Sequence, residues 1–266
     1  MTSWTTPNIV ALLEGASPLM QQWMEASGVT QAASASEDDW VLKAYHGNLA
    51  IVRPDGVSQS VDFTKGKSRH RTKEAGAGAT HLKKSLGISA FKKRHSRLPA
   101  VIDATGGWGQ DTWAIASLGC SVTVMEKHPI VCAILACGLA YAALDQDCAD
   151  IEERITLINQ DACLALSNMH ADVIYLDPMY PHRGRKKADS KKGMQVLQAL
   201  LGPSDERLSA ALLDAALSSA ASRVVVKRPK GAEAIEAHSP HTGQRFVIES
   251  PNTRYDVYQQ ATSWPS

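Results

Sequence analysis

The spacing of apolar residues changes character near residue 99. From residue 100 onward, short apolar runs alternate with longer stretches in which apolar positions recur every three or four residues. This predicts strands at 100–104, 121–126, 155–159 and 173–176, with helices at 111–118 and 130–144 between them. A further helix at 205–220, with Ser204 as its N-cap and Leu208, Leu212 and Ala215 on one face, leads to a strand at 223–226. Alternation of this kind builds a parallel sheet with helices on both faces. The last runs, 245–248 and 255–258, flank Pro251-Asn252-Thr253 and predict an antiparallel hairpin added to that sheet.

Upstream, a helix-like run at 9–27 and a polar segment at 34–39 precede three β-like pieces at 40–45, 49–53 and 60–63, the pattern of a small α+β unit. Between the two regions, Gly-Ala alternation at 75–79 interrupts a basic stretch and predicts a loop entering a short helix near 82–86. The expected organisation is an α+β domain over 1–63, a basic linking segment over 64–98 and an α/β domain over 99–266. No internal repeat is visible.

Charge sharpens this picture only when read locally, because the net formal charge is +1. Residues 1–62 hold two basic and seven acidic side chains, whereas 64–97 hold eleven basic residues and one acid, Glu74. The five cysteines, Cys120, Cys132, Cys137, Cys148 and Cys163, show no Cys-x-x-Cys spacing and sit in apolar runs, as buried free thiols in a reducing compartment would. The first ten residues lack a basic region followed by an apolar core, and no stretch approaches the ~20 apolar residues of a membrane span. A soluble cytoplasmic protein without membrane attachment is expected. No His, Cys and acid cluster has metal-ligand spacing, so no metal is expected.

The first strand of the α/β region runs into Asp103-Ala104-Thr105-Gly106-Gly107-Trp108-Gly109-Gln110-Asp111, a glycine-rich turn where a backbone can approach a ligand closely. Seventeen residues after Gly109 the second strand ends on Glu126, where a carboxylate can accept hydrogen bonds from both hydroxyls of a ribose. The third ends at Asn159-Gln160-Asp161-Ala162, and the fourth delivers Leu176-Asp177-Pro178-Met179-Tyr180-Pro181-His182. A lone glycine turn or Asp-Pro is weak evidence, but four such features at consecutive strand ends mark a nucleoside-cofactor crevice.

Between NAD(P) and S-adenosylmethionine, the residues favour the methyl donor. Thr112 occupies the position where a dinucleotide fingerprint requires glycine or alanine, and the terminal hairpin matches a methyltransferase sheet. Asp177-Pro178-Met179-Tyr180 also resembles the (Asp/Asn)-Pro-Pro-(Tyr/Phe) signature of amino-methyltransferases. An NAD(P)-dependent oxidoreductase and a non-catalytic RNA-binding protein remain the alternatives on the same scaffold.

Several motifs occur together and in order: Val61-Asp62-Phe63, His70-Arg71, the 103–111 glycine turn, 176–182, and Val224-Val225-Val226-Lys227-Arg228-Pro229. From about residue 50 to the end this set resembles the RsmJ family of bacterial methyltransferases. The resemblance implies a Rossmann-like class I S-adenosylmethionine-dependent sheet with a terminal hairpin. It implies methylation of the exocyclic N2 amine of guanine 1516 in 16S ribosomal RNA, with the RNA or the 30S subunit as partner. Donor contacts would fall on Gln110, Asp111, Glu126, Lys127, Asp161, Ala162 and Asp177, to which the strand-end reading adds Asp103 and Gly107. The sequence departs from the family pattern at Trp108, Gln110 and Asp161, and the first forty residues match poorly.

Chemistry at the acceptor end follows from the poor nucleophilicity of the guanine amine, whose lone pair is delocalised into the ring. Asp177 and the Pro178 carbonyl would orient that amine, and Tyr180 would stack on the base. RNA contacts are expected from two basic segments: 65–97, through Arg71 and Lys73, and 183–187 with Lys191 and Lys192, through Arg183, Arg185, Lys186 and Lys187. Lys227-Arg228 would join them or cap its strand, and His182 is read as structural or RNA-contacting.

Overall fold

The computed structural model of the protein describes residues 6–66, 80–180, 192–239 and 241–260. In the N-terminal region β1 (Ile9–Leu12), β2 (Thr30–Gln31), β3 (Trp40–Tyr45), β4 (Asn48–Val52) and β5 (Ser58–Ser60) form a sheet of order β2-β1-β3-β4-β5. The run expected to be one helix over 9–27 is instead β1, a turn and helix α1 (Pro18–Ala26). Gly15 turns the chain at φ +71°, Ser17 accepts the Met20 N–H, and Pro18 opens the helix. A proline at the first helical position starts a helix and prevents an earlier one from running through it.

Helices α2 (Thr80–Ser85) and α3 (Ile88–His95) lead to the second sheet. Its strands are β6 (Val101–Asp103), β7 (Val122–Met125), β8 (Ile155–Ile158), β9 (Val173–Leu176), β10 (Arg223–Pro229), β11 (Gln244–Glu249) and β12 (Thr253–Gln259), in the order β11-β12-β10-β9-β6-β7-β8. The five strands from β10 to β8 are parallel, and β12 and β11 join as the expected antiparallel hairpin. Every side chain of β6 and β9 is buried, Asp103 included, which is why Val101-Ile102 and 173–176 read as runs without polar alternation. These two central strands pair with Val101 opposite Val173 and Asp103 opposite Tyr175. Strand order reverses between them, and a ligand crevice opens at such a switch point.

Helices α4 (Gln110–Ser117), α5 (Pro129–Ala142), α6 (Ala149–Glu152), α7 (Ala162–Ala165), α8 (Lys192–Leu201) and α9 (Glu206–Leu217) fill the crossovers. The N-cap of α9 is Asp205, whose carboxylate accepts the Arg207 N–H, and not the expected Ser204. Helices α3 and α8 have no counterpart in the sequence reading. Four consecutive basic or His residues at 92–95 hide the apolar stripe of α3, and α8 begins at Lys192, directly after a densely basic and polar stretch that carries no apolar periodicity.

Helix α5 joins the two sheets. It is apolar on nearly all sides and buried along its length, with β8 on one flank and α1, β4 and β5 on the other. One continuous hydrophobic core therefore reaches from Met24 and Leu42 to Trp113 and Val225. Cys120 and Cys137 within it, and Cys132 on the same helix as Cys137, are buried free thiols whose pKa is pushed up to about 12 by burial. The joint is tightest at Gly138, where an added Cβ would stand 2.6 Å from Val61 Cγ1 and 2.7 Å from the Val61 carbonyl oxygen.

Glycine-to-alanine in a helix ordinarily stabilises by up to about 1 kcal/mol. Gly138→Ala is expected to do the opposite, lowering unfolding free energy by about 1–3 kcal/mol through overpacking against Val61. Urea denaturation measures the sign directly.

Candidate active site

The glycine turn between β6 and α4 is held from three directions. Gly106 donates its N–H to the Met125 carbonyl at 2.9 Å, and a Cβ there would lie 2.8 Å from Val124 Cγ2, so only glycine lets the turn lie flat on β7. Gly109, at φ +71°, opens α4 with Leu135 and Phe63 against it, and Phe63 stacks on Trp113 at 4.4 Å with the rings 8° apart. On the remaining side Trp108 donates its indole N–H to the Gly193 carbonyl of α8 at 2.9 Å. The turn is thus braced by the N-terminal region, by α5 and by α8.

Two carboxylates set its shape. Asp103 is 1% exposed and accepts the Thr105 N–H at 3.0 Å and the Thr112 hydroxyl at 2.6 Å. Burial raises its carboxyl to about 6, against the pull of these donors. Thr112, which departs from the dinucleotide fingerprint, is therefore a donor to the loop's own anchor. Thr105 in turn uses its hydroxyl oxygen to accept the Asp177 N–H at 2.7 Å, joining the turn to the end of β9. At the end of β7, Glu126 accepts the Gly107 N–H and the His128 N–H, each at 2.7 Å. Burial pushes its carboxyl up while these two amides favour the ionised form.

The acceptor end is organised by a residue whose part the sequence left undecided. Lys227, from β10, donates to Asp111 Oδ2 at 2.6 Å and to Asp177 Oδ2 at 2.8 Å. Asp111 also accepts the Tyr175 hydroxyl at 2.8 Å. One ammonium thus serves two carboxylates that stand at the start of α4 and the end of β9. In spite of desolvation Lys227 is held firmly protonated by both anions. Asp111, also desolvated, stays below the usual carboxylate range through Lys227 and Tyr175. Asp177 goes the other way: desolvation, reinforced by the Asp111 charge and opposed by Lys227, raises it to about 7. Its side chain remains 39% exposed, so this carboxyl is the member of the cluster that opens to the crevice. Beside it the Arg228 guanidinium lies 4.5 Å from the Tyr180 ring centre while donating to the Glu233 carbonyl, which fixes the aromatic face.

The positions expected from sequence fall as follows. Asp103, Gly107, Gln110, Asp111, Glu126, Lys127, Asp161, Ala162, Asp177, Pro178 and Tyr180 all lie at or just beyond carboxyl ends of the parallel strands. Asp103 is turned inward and shapes the loop, and Asp161 N-caps α7 by accepting the Cys163 N–H at 2.9 Å. Arg71, Lys73, Arg183, Arg185, Lys186 and Lys187, with His70, Pro181 and His182, lie outside the described residues. Lys227 and Arg228 are drawn inward to acids, a carbonyl and a ring. Their Val-Val-Val-Lys-Arg-Pro context gives no hint of this, because the pairing depends on β10 lying beside β9.

The strand ends suit a nucleoside-bearing methyl donor. The turn rejects Cβ atoms at Gly106 and Gly109, Glu126 is oriented by two backbone amides, and the nearby His128 Nδ1 is buried without a partner among the described residues. Removing the cation between the acids tests the electrostatic reading. In Lys227→Met, Asp177 is expected to titrate above its present value of about 7, since a favourable opposite charge is lost. Carbon-13 NMR of labelled aspartates would follow it.

Comparison with known proteins agrees with this geometry. A family model described as "Putative SAM-dependent methyltransferase" matches residues 24–260. Proteins called ribosomal RNA small subunit methyltransferase J are 36% identical in Pseudomonas aeruginosa, covering 97% of both chains, and 39% identical in Hydrogenovibrio crunogenus, covering 92% of this chain and 83% of that one. A crystal structure of an S-adenosylmethionine-dependent methyltransferase from Neisseria gonorrhoeae superposes with a TM-score of 0.73 at 27% identity, over 96% of this chain and 97% of the other. The fold is Rossmann-like, the cofactor is S-adenosylmethionine rather than NAD(P), and the chain belongs to the ribosomal RNA small subunit methyltransferase J family.

Proposed function

We propose that the protein transfers a methyl group from S-adenosylmethionine to the exocyclic N2 amine of a guanine in 16S ribosomal RNA, guanine 1516 by family resemblance. The observation that carries this reading is the Asp177 carboxyl group, open to the crevice beside the glycine turn and followed by Pro178 and a fixed Tyr180 ring. The relatives' shared name supplies the RNA class.

Bound S-adenosylmethionine supplies an electrophilic methyl on a sulfonium. Gly107, Gln110, Asp111, Glu126, Lys127, Asp161 and Ala162 are the residues proposed to hold it, with Asp103 keeping the turn in shape. Ionised Asp177 and the Pro178 carbonyl accept hydrogen bonds from the two amine protons and turn the nitrogen lone pair toward the methyl. Tyr180, backed by Arg228, stacks on the base after it leaves its helix. Methylation leaves the nitrogen with one proton too many. A carboxyl with a pKa near neutrality is matched to receiving it, so Asp177 both orients the amine and takes the proton.

Two measurements follow. Asp177→Ala is expected to retain most S-adenosylmethionine binding while methyl transfer falls by about 10²–10⁴-fold, the usual scale of a lost positioned proton acceptor; normal turnover in this variant would refute the assignment. The second is a pH profile. Because the folded-state pKa is raised to about 7, Asp177 is protonated below that value and cannot accept from the amine. The rate is expected to climb through pH 7 and level above it, and Asp177→Asn should lose that limb. Mapping N2-methylguanine in 16S RNA from cells with and without the gene identifies the nucleotide.

A further inference from the structure

The catalytic crevice lies at the carboxyl ends of the parallel strands, yet the densest described run of positive charge lies at their amino ends. Residues 80–98 contain six basic residues and no acid. Of these, only Arg97 has an ion-pair partner among the described residues, binding Asp172 just before β9 through two contacts of 2.7 and 3.0 Å. Lys83, Lys84, Lys92, Lys93 and Arg94 are exposed, without an ion pair among those residues. Lys83, Lys92 and Lys93, with Ser89 and Ser117, line an open depression of about 520 Å³. Its place in the fold is fixed by Arg223, the first residue of β10, which donates to the Ser85 carbonyl at 3.0 Å.

Helix α3 does gain from cations in its last turn, but a helix end carries only about half an elementary charge. That cannot account for three basic side chains and a histidine in one turn of α3 with Lys83 and Lys84 of α2 alongside. Lys227 lies four steps along β10 from Arg223, a rise of roughly 13 Å at strand spacing. A nucleotide seated at Asp177 therefore does not itself occupy the depression, and a polyanion that reaches both must extend around the edge of the sheet.

We infer that the α2–α3 face is a second RNA-docking surface, in which Lys83, Lys92 and Lys93 hold backbone phosphates of a segment remote from the methylated base. The inference rests on the ribosomal RNA reading above and extends it: the substrate is recognised as a folded RNA spanning two faces of the sheet, and not as a short strand.

The test is the triple variant Lys83→Glu, Lys92→Glu, Lys93→Glu, with a Gln triple variant as a milder partner and thermal melting to confirm folding. Binding to protein-free 16S RNA, to 30S subunits and to a short hairpin carrying the target is measured by filter retention from 50 to 200 mM salt. If about three phosphate contacts are lost, the salt slope for 16S RNA falls by about 2–3. Affinity for it should weaken at least tenfold, KM rise in step and kcat stay within twofold, while hairpin binding is unchanged. Unaltered affinity and slope for 16S RNA in the Glu variant overturn the surface while leaving the methyltransferase reading intact. Patch dependence on 30S subunits but not on free RNA also overturns it, in favour of a protein contact. Patch-dependent binding by a wild-type protein that methylates nothing would support the surface and defeat the catalytic reading. A wild-type protein that binds no 16S RNA would defeat both.

Discussion

A single ammonium shared by two carboxylates governs the chemistry available to this fold. Lys227 comes from β10, Asp111 from the start of α4 and Asp177 from the end of β9, so the contact ties three elements that are far apart in sequence. Two acids and one cation in a poorly solvated place leave one negative charge in excess. The structure settles it unequally: Asp111 receives the Tyr175 hydroxyl as well as the ammonium, and Asp177 has only the remaining share. Burial alone would push both acids up; their partners push them apart, which gives neighbouring acids different duties.

The glycine turn is the second half of the same construction. Thr105 touches both Asp103 and the Asp177 backbone, so the glycine turn and the end of β9 are positioned by one threonine. Behind the loop, Phe63 against Trp113 and Gly109 brings the end of the N-terminal region into the wall of the crevice. The small sheet is a structural support for the glycine turn, since the chain leaving β5 packs Phe63 against Gly109.

Most of the seven-stranded sheet was legible because its central strands are buried on both faces and so read as continuous apolar runs. The crevice was legible because ligands in such sheets gather at carboxyl ends, and the chain has acids or glycines at four of them. What sequence did not reveal depends on lateral neighbours. Lys227 was open to two readings, an RNA contact or a strand cap, because nothing in 224–229 states that β9 lies beside it. The helix expected at 9–27 broke into strand and helix because Gly15 and Pro18 outweighed a shared apolar content, and α3 was masked by basic residues that exceed its buried stripe.

The seat of α5 between the two sheets bears on how the molecule comes apart. A helix whose apolar surface is divided between two layers cannot keep its place when either layer is lost, and Val61 at Gly138 leaves no gap for water to enter first. Residues as distant as Met24 and Val225 belong to one core, so their stabilities are linked rather than separate. Heat or denaturant should consequently dismantle the β1–β5 sheet and the methyl-transfer crevice in one cooperative event, and a lesion anywhere along α5 would be felt as a loss of the whole enzyme.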